Sequence, residues 1–366
     1  MGFRCGIVGL PNVGKSTIFN ALTRTAEAAA ENYPFCTIEP NVGQVPVPDA
    51  RLGEIARLAR SPRIVPAVMT FVDIAGLVRG AAAGEGLGNQ FLSHIREVDA
   101  IVHVLRCFED ENVAHVEGRI DPVSDAATVE TELMLADLDS IERRLVPVEK
   151  RFYGGEKALR PQFELMQRVA EVLREGRPAR LVRLSREQAK PFRELQLLTA
   201  KPVLYACNVS EADAASGNAE TAAVAEMAAV EGAGTILISG KIEAELAQLD
   251  EAEEREAFLA DLGLAEAGLD RLIRAGYALL DLITYFTAGP KEAHAWTVPR
   301  GTPARRAAGV IHTDFERGFI AAETIAADDF IRLGGEQGAR EAGLMRAEGA
   351  DYPVKDGDVI LFRFNV

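Results

Sequence analysis

Eight residues near the start, Gly9-Leu10-Pro11-Asn12-Val13-Gly14-Lys15-Ser16, follow the spacing G-x-x-x-x-G-K-S, and no other feature limits the possible folds so tightly. Such a loop works only between a strand and a helix. Gly6-Ile7-Val8 precedes it as a strand, and Thr17-Ile18-Phe19-Asn20-Ala21-Leu22 follows as a helix. The glycines let the backbone curl so that successive N–H groups and the helix N-terminus point at phosphate. Asn12, Val13, Gly14, Lys15, Ser16 and Thr17 are therefore expected to hold a nucleoside triphosphate. Lys15 is expected at the β- and γ-phosphates and to take part in catalysis, and Ser16 is expected on Mg²⁺.

A second piece is Asp73-Ile74-Ala75-Gly76, directly after the apolar run Met69-Thr70-Phe71-Val72. A carboxylate at a strand end suits the magnesium shell, and Gly76 can offer its N–H to the γ-phosphate. Glycines at 76, 80, 84, 86 and 88 give the following stretch the composition of a switch loop. Between the two motifs, in Asn32 to Asn41, Thr37 is the candidate for completing the metal shell.

Continuous apolar runs at 3–8, 67–73, 100–106, 201–207 and 234–239 read as strands covered on both faces. Alternating with helical stretches, they predict βαβ units and a mostly parallel sheet. Residues 128–200 carry no strand signal. Met134, Leu138, Ile141, Leu145, Val148 and Phe152 form a heptad-like seam there, and Gly154-Gly155 breaks it before a second helix from Pro161 to Glu175. Pro147 argues against one perfectly straight helix. Ile242 to Leu264 reads as an acidic, solvated helical face. A helix around Leu269 to Leu282 leads into short strands at 284–287, 293–298, 318–325 and 359–364, a compact α+β unit. The expected division is 1–127 with 201–282, an inserted helical arm at 128–200, and 283–366.

With 366 residues, 48% hydrophobic and 26% charged, the chain has material for two or three cores. A net charge of −15 argues against wholesale coating of DNA or anionic membrane. Residues 140–200 nevertheless hold 14 Lys+Arg against 8 Asp+Glu. The arm is thus either a basic solvated face or a contact for RNA or another acidic partner. Cys5, Cys36, Cys107 and Cys207 form no C-x-x-C pair, which suits a reduced, cytoplasmic setting. No run is long and apolar enough for a membrane helix, and no secretory leader is expected.

The stretches G-L-P-N-V-G-K-S-T, N-Y-P-F-C-T-I-E-P-N, D-I-A-G-L-V-R-G, G-E-G-L-G-N-Q-F-L, T-Y-F-T-A-G and I-H-T-D-F-E-R-G-F-I, with the terminal K-D-G-D, resemble the YchF-type branch of Obg-like P-loop NTPases over essentially the whole chain. The resemblance implies a P-loop domain, a coiled-coil arm and a C-terminal TGS domain of β-grasp type. It also implies ATP preferred over GTP, and binding to the ribosome or its large subunit. A monomer is expected. His115 matches the family's proposed catalytic histidine, and Asn12 matches a position used for K⁺ in related NTPases. Ser239 and Gly240 occupy the base-cradling loop, where Gly240 replaces the commoner alanine.

Guanine is ordinarily read by [NT]-K-x-D at a strand end, but here Asn208-Val209-Ser210-Glu211 stands in that place. A site lacking the aspartate leaves guanine's donors unpaired. Asn208 is expected instead to pair with adenine, flanked by Val209 and Glu211. Leu77 stands where Ras-like enzymes carry a water-orienting Gln, so either hydrolysis is slow or the water is placed from elsewhere. Besides an ATPase, two readings remain open: a GTPase, and an RNA-binding module that keeps nucleotide as a structural ligand.

Overall fold

The computed structural model of the chain describes residues 3–32, 41–74, 87–110, 119–249 and 251–365. The first part runs β1 (Arg4–Val8), α1 (Lys15–Asn32), β2 (Val42–Pro46), α2 (Ala50–Ala59), β3 (Arg63–Val65), β4 (Val68–Asp73), α3 (Leu87–Glu97) and β5 (Ala100–Arg106). A helical stretch follows, with α4 (Pro122–Tyr153), α5 (Arg160–Arg174) and α6 (Ala189–Glu194). The chain then returns through β6 (Val203–Asn208), α7 (Ala219–Glu231), β7 (Gly234–Ile238), α8 (Gly240–Leu246), α9 (Ala252–Asp261) and α10 (Gly268–Leu279). The last part is β8 (Leu282–Ala288), β9 (Glu292–Pro299), α11 (Ala304–Ile311), α12 (Thr313–Arg317), β10 (Phe319–Ala326), α13 (Ala327–Arg332), α14 (Glu336–Glu341), β11 (Arg346–Glu348) and β12 (Asp358–Phe364).

The first sheet has the order β2-β4-β1-β5-β6-β7. All its pairings are parallel except β2 on β4. β5 and β6 are buried at every position, as their unbroken apolar sequences require. The edge strand β2 gave no sequence signal because Gly43, Gln44 and Pro46 dilute it, and only an edge tolerates that proline.

The arm begins with Asp121, whose carboxylate accepts from Ser124 N at 3.0 Å and caps α4. α4 continues through Pro147, which stands on an exposed face where the unbonded carbonyl can be hydrated. Of the seam, Ile141 is buried and Met134, Leu138, Leu145 and Val148 pack around it against α5 and α6. Phe152 stacks on Phe163 at 5.0 Å. At the root, Asp137 accepts from Leu198 N, Thr199 N and Thr199 Oγ1 at 2.7–2.8 Å.

Two expectations need correction. Residues 242–264 are not simply a solvated face: Ile242, Glu243, Leu246 and Leu264 are buried. Ile242 and Leu246, four apart, face inward and carry Glu243 to the N-terminus of α10, where its carboxylate accepts from Gly268 N at 2.8 Å. The helix leading into the last part ends at Leu279 rather than 282, because Asp281 takes a left-handed φ of 49° and β8 starts next.

The second sheet has the order β11-β10-β12-β8-β9-β3. β3, three residues from the first part, pairs parallel with β9 and supplies an edge strand too short to leave a sequence signal. One face of this sheet, through Phe286, Ala293 and Ala295, shares a core with Leu52 and Ile55 of α2. Its other face, through Ile283, Tyr285 and Val298, packs on Ala304, Ala307 and Ala308 of α11.

Candidate functional site

β1 lies at the middle of the first sheet, and the chain leaves its end through the glycine loop into α1. Asn12 and Gly14 take left-handed φ values of 64° and 91°. Gly14 is doubly constrained, because a Cβ there would lie 2.1 Å from Asn208 Nδ2. Ile18 N donates to Gly14 O at 3.1 Å, so the first N–H groups of α1 stay directed at the loop's mouth. Asp73, the last residue of β4, pairs with Ile7 of β1. Its Oδ1 meets Lys15 Nζ at 3.0 Å, and the two side chains are only 16% and 10% exposed.

At the carboxyl ends of the strands lies a cavity of about 800 Å³. Asn12, Gly14, Lys15, Ser16 and Thr17 line one side, and Asn208, Val209, Glu211, Ser239 and Gly240 line the other. Val13 is buried beneath. Asn208 is 4% exposed. Its Nδ2 donates to Val13 O and its Oδ1 accepts from Gly240 N, both at 2.9 Å. The residue expected to read adenine thus ties the phosphate loop to the loop after β7. Glu211 carries an ion pair to Lys241 Nζ at 2.7 Å, a pairing that raises the Lys241 ammonium above its ordinary range. The Ser239 hydroxyl is buried and has no hydrogen-bond partner among the described residues.

Phe108, Glu109 and Asp110, just past β5, complete the lining and were not anticipated. The available signal was their place: ligands of open α/β sheets bind outside the carboxyl ends of strands, and β5 neighbours β1. Thr37, Gly76, Leu77 and His115 lie outside the described residues. The donors Ser16 and Asp73 fit a hard cation that takes its remaining ligands from phosphate and water. The described residues hold no group of three or more His, Cys, Asp or Glu that could hold a metal ion.

A mostly parallel sheet with a glycine loop at its centre and a strand-end carboxylate beside the loop's lysine defines a P-loop nucleotide-binding protein of the GTPase type. Residues 4–136 match the family model described as "50S ribosome-binding GTPase", and residues 282–365 match the model YchF-GTPase_C, described as a "Protein of unknown function". The chain is 56% identical to the "Ribosome-binding ATPase YchF" of Haemophilus influenzae, over all 366 residues of both proteins. The proteins of the same name from Escherichia coli O157:H7 and Bacillus subtilis are 54% and 52% identical, again over 100% of each chain. The solved "Structure of the Schizosaccharomyces pombe YchF GTPase" superposes with a TM-score of 0.90 at 36% identity, covering 99% of this chain and 98% of that one. The chain belongs to the YchF family.

Proposed function

We propose that this protein binds ATP with Mg²⁺, hydrolyses it slowly, and uses the bound nucleotide to govern its binding to the ribosome. One observation carries the reading: the glycine loop and the loops after β6 and β7 converge on a single cavity, whose lysine is paired to the β4 carboxylate. Lys15, already held at the cavity by Asp73, neutralises the phosphates when it turns to them. Ser16, Asp73 and Thr37 would hold the metal, which supplies positive charge to the transferring phosphoryl group. Gly76 and His115 act at the γ-phosphate and the attacking water in this reading. Asn12 would serve K⁺. Adenine is favoured because Glu211 stands where the guanine-reading aspartate belongs, and its carboxylate is engaged by Lys241. Three relatives are named ribosome-binding ATPases, which supports both halves of the proposal.

The second reading, a GTPase, draws on the fission-yeast relative, which is named a GTPase, and on the matched family model. Hydrolysis of ATP and GTP measured side by side, with and without K⁺ and ribosomes, separates the two. ATP turnover exceeding GTP turnover is expected, and equal or faster GTP turnover sinks the adenine assignment. Lys15→Ala is expected to lower hydrolysis roughly a hundredfold, as removal of a transition-state charge partner does. Cosedimentation with ribosomes is expected to differ between ATP and ADP. If it does not, nucleotide is a structural ligand and the switch fails.

A further inference from the structure

The turn that follows β5 is held from within at nearly every polar backbone group. Arg106, the last residue of β5, is only 2% exposed, and its guanidinium is directed along this turn. Its Nε donates to Phe108 O at 3.1 Å and its Nη2 to Asp110 O at 3.3 Å. The same guanidinium lies 4.8 Å from the centre of the Phe108 ring. Cys107 N donates to Asn208 O at 2.8 Å, and Asn218 Nδ2, from the N-cap of α7, donates to Cys107 O at 2.8 Å. The carbonyls of Cys107, Phe108 and Asp110 are thus all bonded, and the turn is stapled to the strand that ends in Asn208.

One side chain on this fixed turn is left over. Glu109 lines the nucleotide cavity and is exposed, and its carboxylate has no hydrogen bond or ion pair among the described residues. Other groups in the lining are engaged: Glu211 pairs with Lys241, and the Ser210 hydroxyl donates to Asp213 at 2.9 Å. Position limits what Glu109 can meet. The strands run β1, β5, β6, β7 across the sheet. Phosphate belongs to the loop after β1, and the base to the loops after β6 and β7. The turn after β5 therefore faces the middle of a nucleotide, which is its sugar. Charge points the same way, since a carboxylate repels phosphate but is a strong acceptor for neutral hydroxyls. The vicinal 2′- and 3′-hydroxyls of ribose offer it two donors side by side.

We propose that Glu109 reads the sugar of the bound nucleotide, its carboxylate accepting from the ribose hydroxyls, so that the site selects ribonucleotides over 2′-deoxyribonucleotides. This rests on the nucleotide-binding reading above and extends it from phosphate and base to the sugar. Because the turn is fixed beforehand by Arg106 and Asn218, only the Glu109 side chain has to be ordered when the sugar binds. A 2′-deoxy sugar leaves one of these bonds unmade.

The test uses the full chain as wild type, Glu109→Ala and Glu109→Gln. Equilibrium dialysis with Mg²⁺ gives the affinity of each for ATP, 2′-deoxyATP, GTP and 2′-deoxyGTP, and hydrolysis of saturating ATP is followed in parallel. Wild type is expected to bind ATP roughly tenfold more tightly than 2′-deoxyATP, the worth of one hydrogen bond to a charged acceptor. Glu109→Ala is expected to bring that ratio to about one, weakening ATP and leaving 2′-deoxyATP unchanged. Glu109→Gln, whose amide oxygen still accepts, is expected to keep part of the preference. Turnover at saturation and melting temperature are expected to match wild type in both variants, because the carboxylate is bonded to no other described residue. If wild type binds ATP and 2′-deoxyATP alike, or if Glu109→Ala keeps the wild-type ratio, the sugar assignment is wrong and the nucleotide reading stands. If Glu109→Ala instead shifts the ATP-to-GTP ratio while the sugar ratio stays constant, the carboxylate reads the base and the proposal falls. If wild type prefers GTP, the adenine reading fails, and the GTP and 2′-deoxyGTP pair still decides the sugar.

Discussion

Asn208 shows how much chemistry one side chain can absorb. Both ends of its amide are engaged, on Val13 O and on Gly240 N, so the phosphate loop and the base loop are held at a fixed separation. The sequence set Asn208 just past a strand that in fact includes it, and assigned its hydrogen bonds to the ligand. Partners 195 and 32 residues away become visible only when β1, β6 and β7 lie side by side. Glu243 is a parallel case, read as solvated because its neighbours are acidic, yet only 2% exposed. Burial, opposed by the N–H groups of Gly268 and Leu269, pushes its carboxyl up to about 7. An acid whose folded pKa lies above its unfolded value stabilises the fold fully below about 4.5, and that contribution is lost as pH rises through about 7. Wild type is therefore expected to lose about 1–3 kcal/mol relative to Glu243→Gln between pH 4.5 and 8. Urea unfolding of both proteins across that range checks it, and parallel curves would remove the effect.

At the scale of elements, periodicity carried most of the information. The seam from Met134 to Phe152 and the arm's two long helices were legible because a 3.5-residue repeat survives in sequence, whereas the six-residue α6 was not read. The five strands of the parallel sheet were legible because burial on both faces demands unbroken apolar runs. The arm's attachment was not, since it depends on polar groups scattered along the chain. Arg180, in the segment after α5, is mostly buried between Glu130 of α4 and Glu231 of α7. Burial, reinforced by nearby Glu231 and opposed by Arg180, raises the Glu130 carboxyl above its ordinary range. Arg180→Met is expected to cost about 3–5 kcal/mol, because two carboxylates would remain buried without their cation. Adding Glu130→Gln and Glu231→Gln is expected to recover most of that loss. Thermal melts of the single and triple variants decide it, and a single variant as stable as wild type would show that the triad does not anchor the arm.

For the whole molecule, the second sheet is the joint. Arg51 of α2 bonds Asp356 at 2.9 Å, Ser61 Oγ donates to Gly289 O at 2.7 Å, and β3 lies along β9. Four of the five strands of the last part were legible, but the short edge strand β11 was not read, and a three-residue strand borrowed from the other end of the chain leaves no pattern to read. Removing residues 282–366 uncovers the apolar side of α2 and leaves β3 without its neighbour. A chain ending at 281 is expected to be largely insoluble or aggregated. Recovery of a monodisperse truncated protein on gel filtration would show instead that the first part stands alone. The borrowed strand also sets a clock on biosynthesis. Arg63 leaves the peptidyl-transferase centre about 230 residues before its partner Glu292, a delay of roughly 10–50 s at ordinary elongation rates. Through that interval the nascent chain displays a bare strand and an uncovered helix face, so its vulnerable period is the time spent waiting for its own C-terminus.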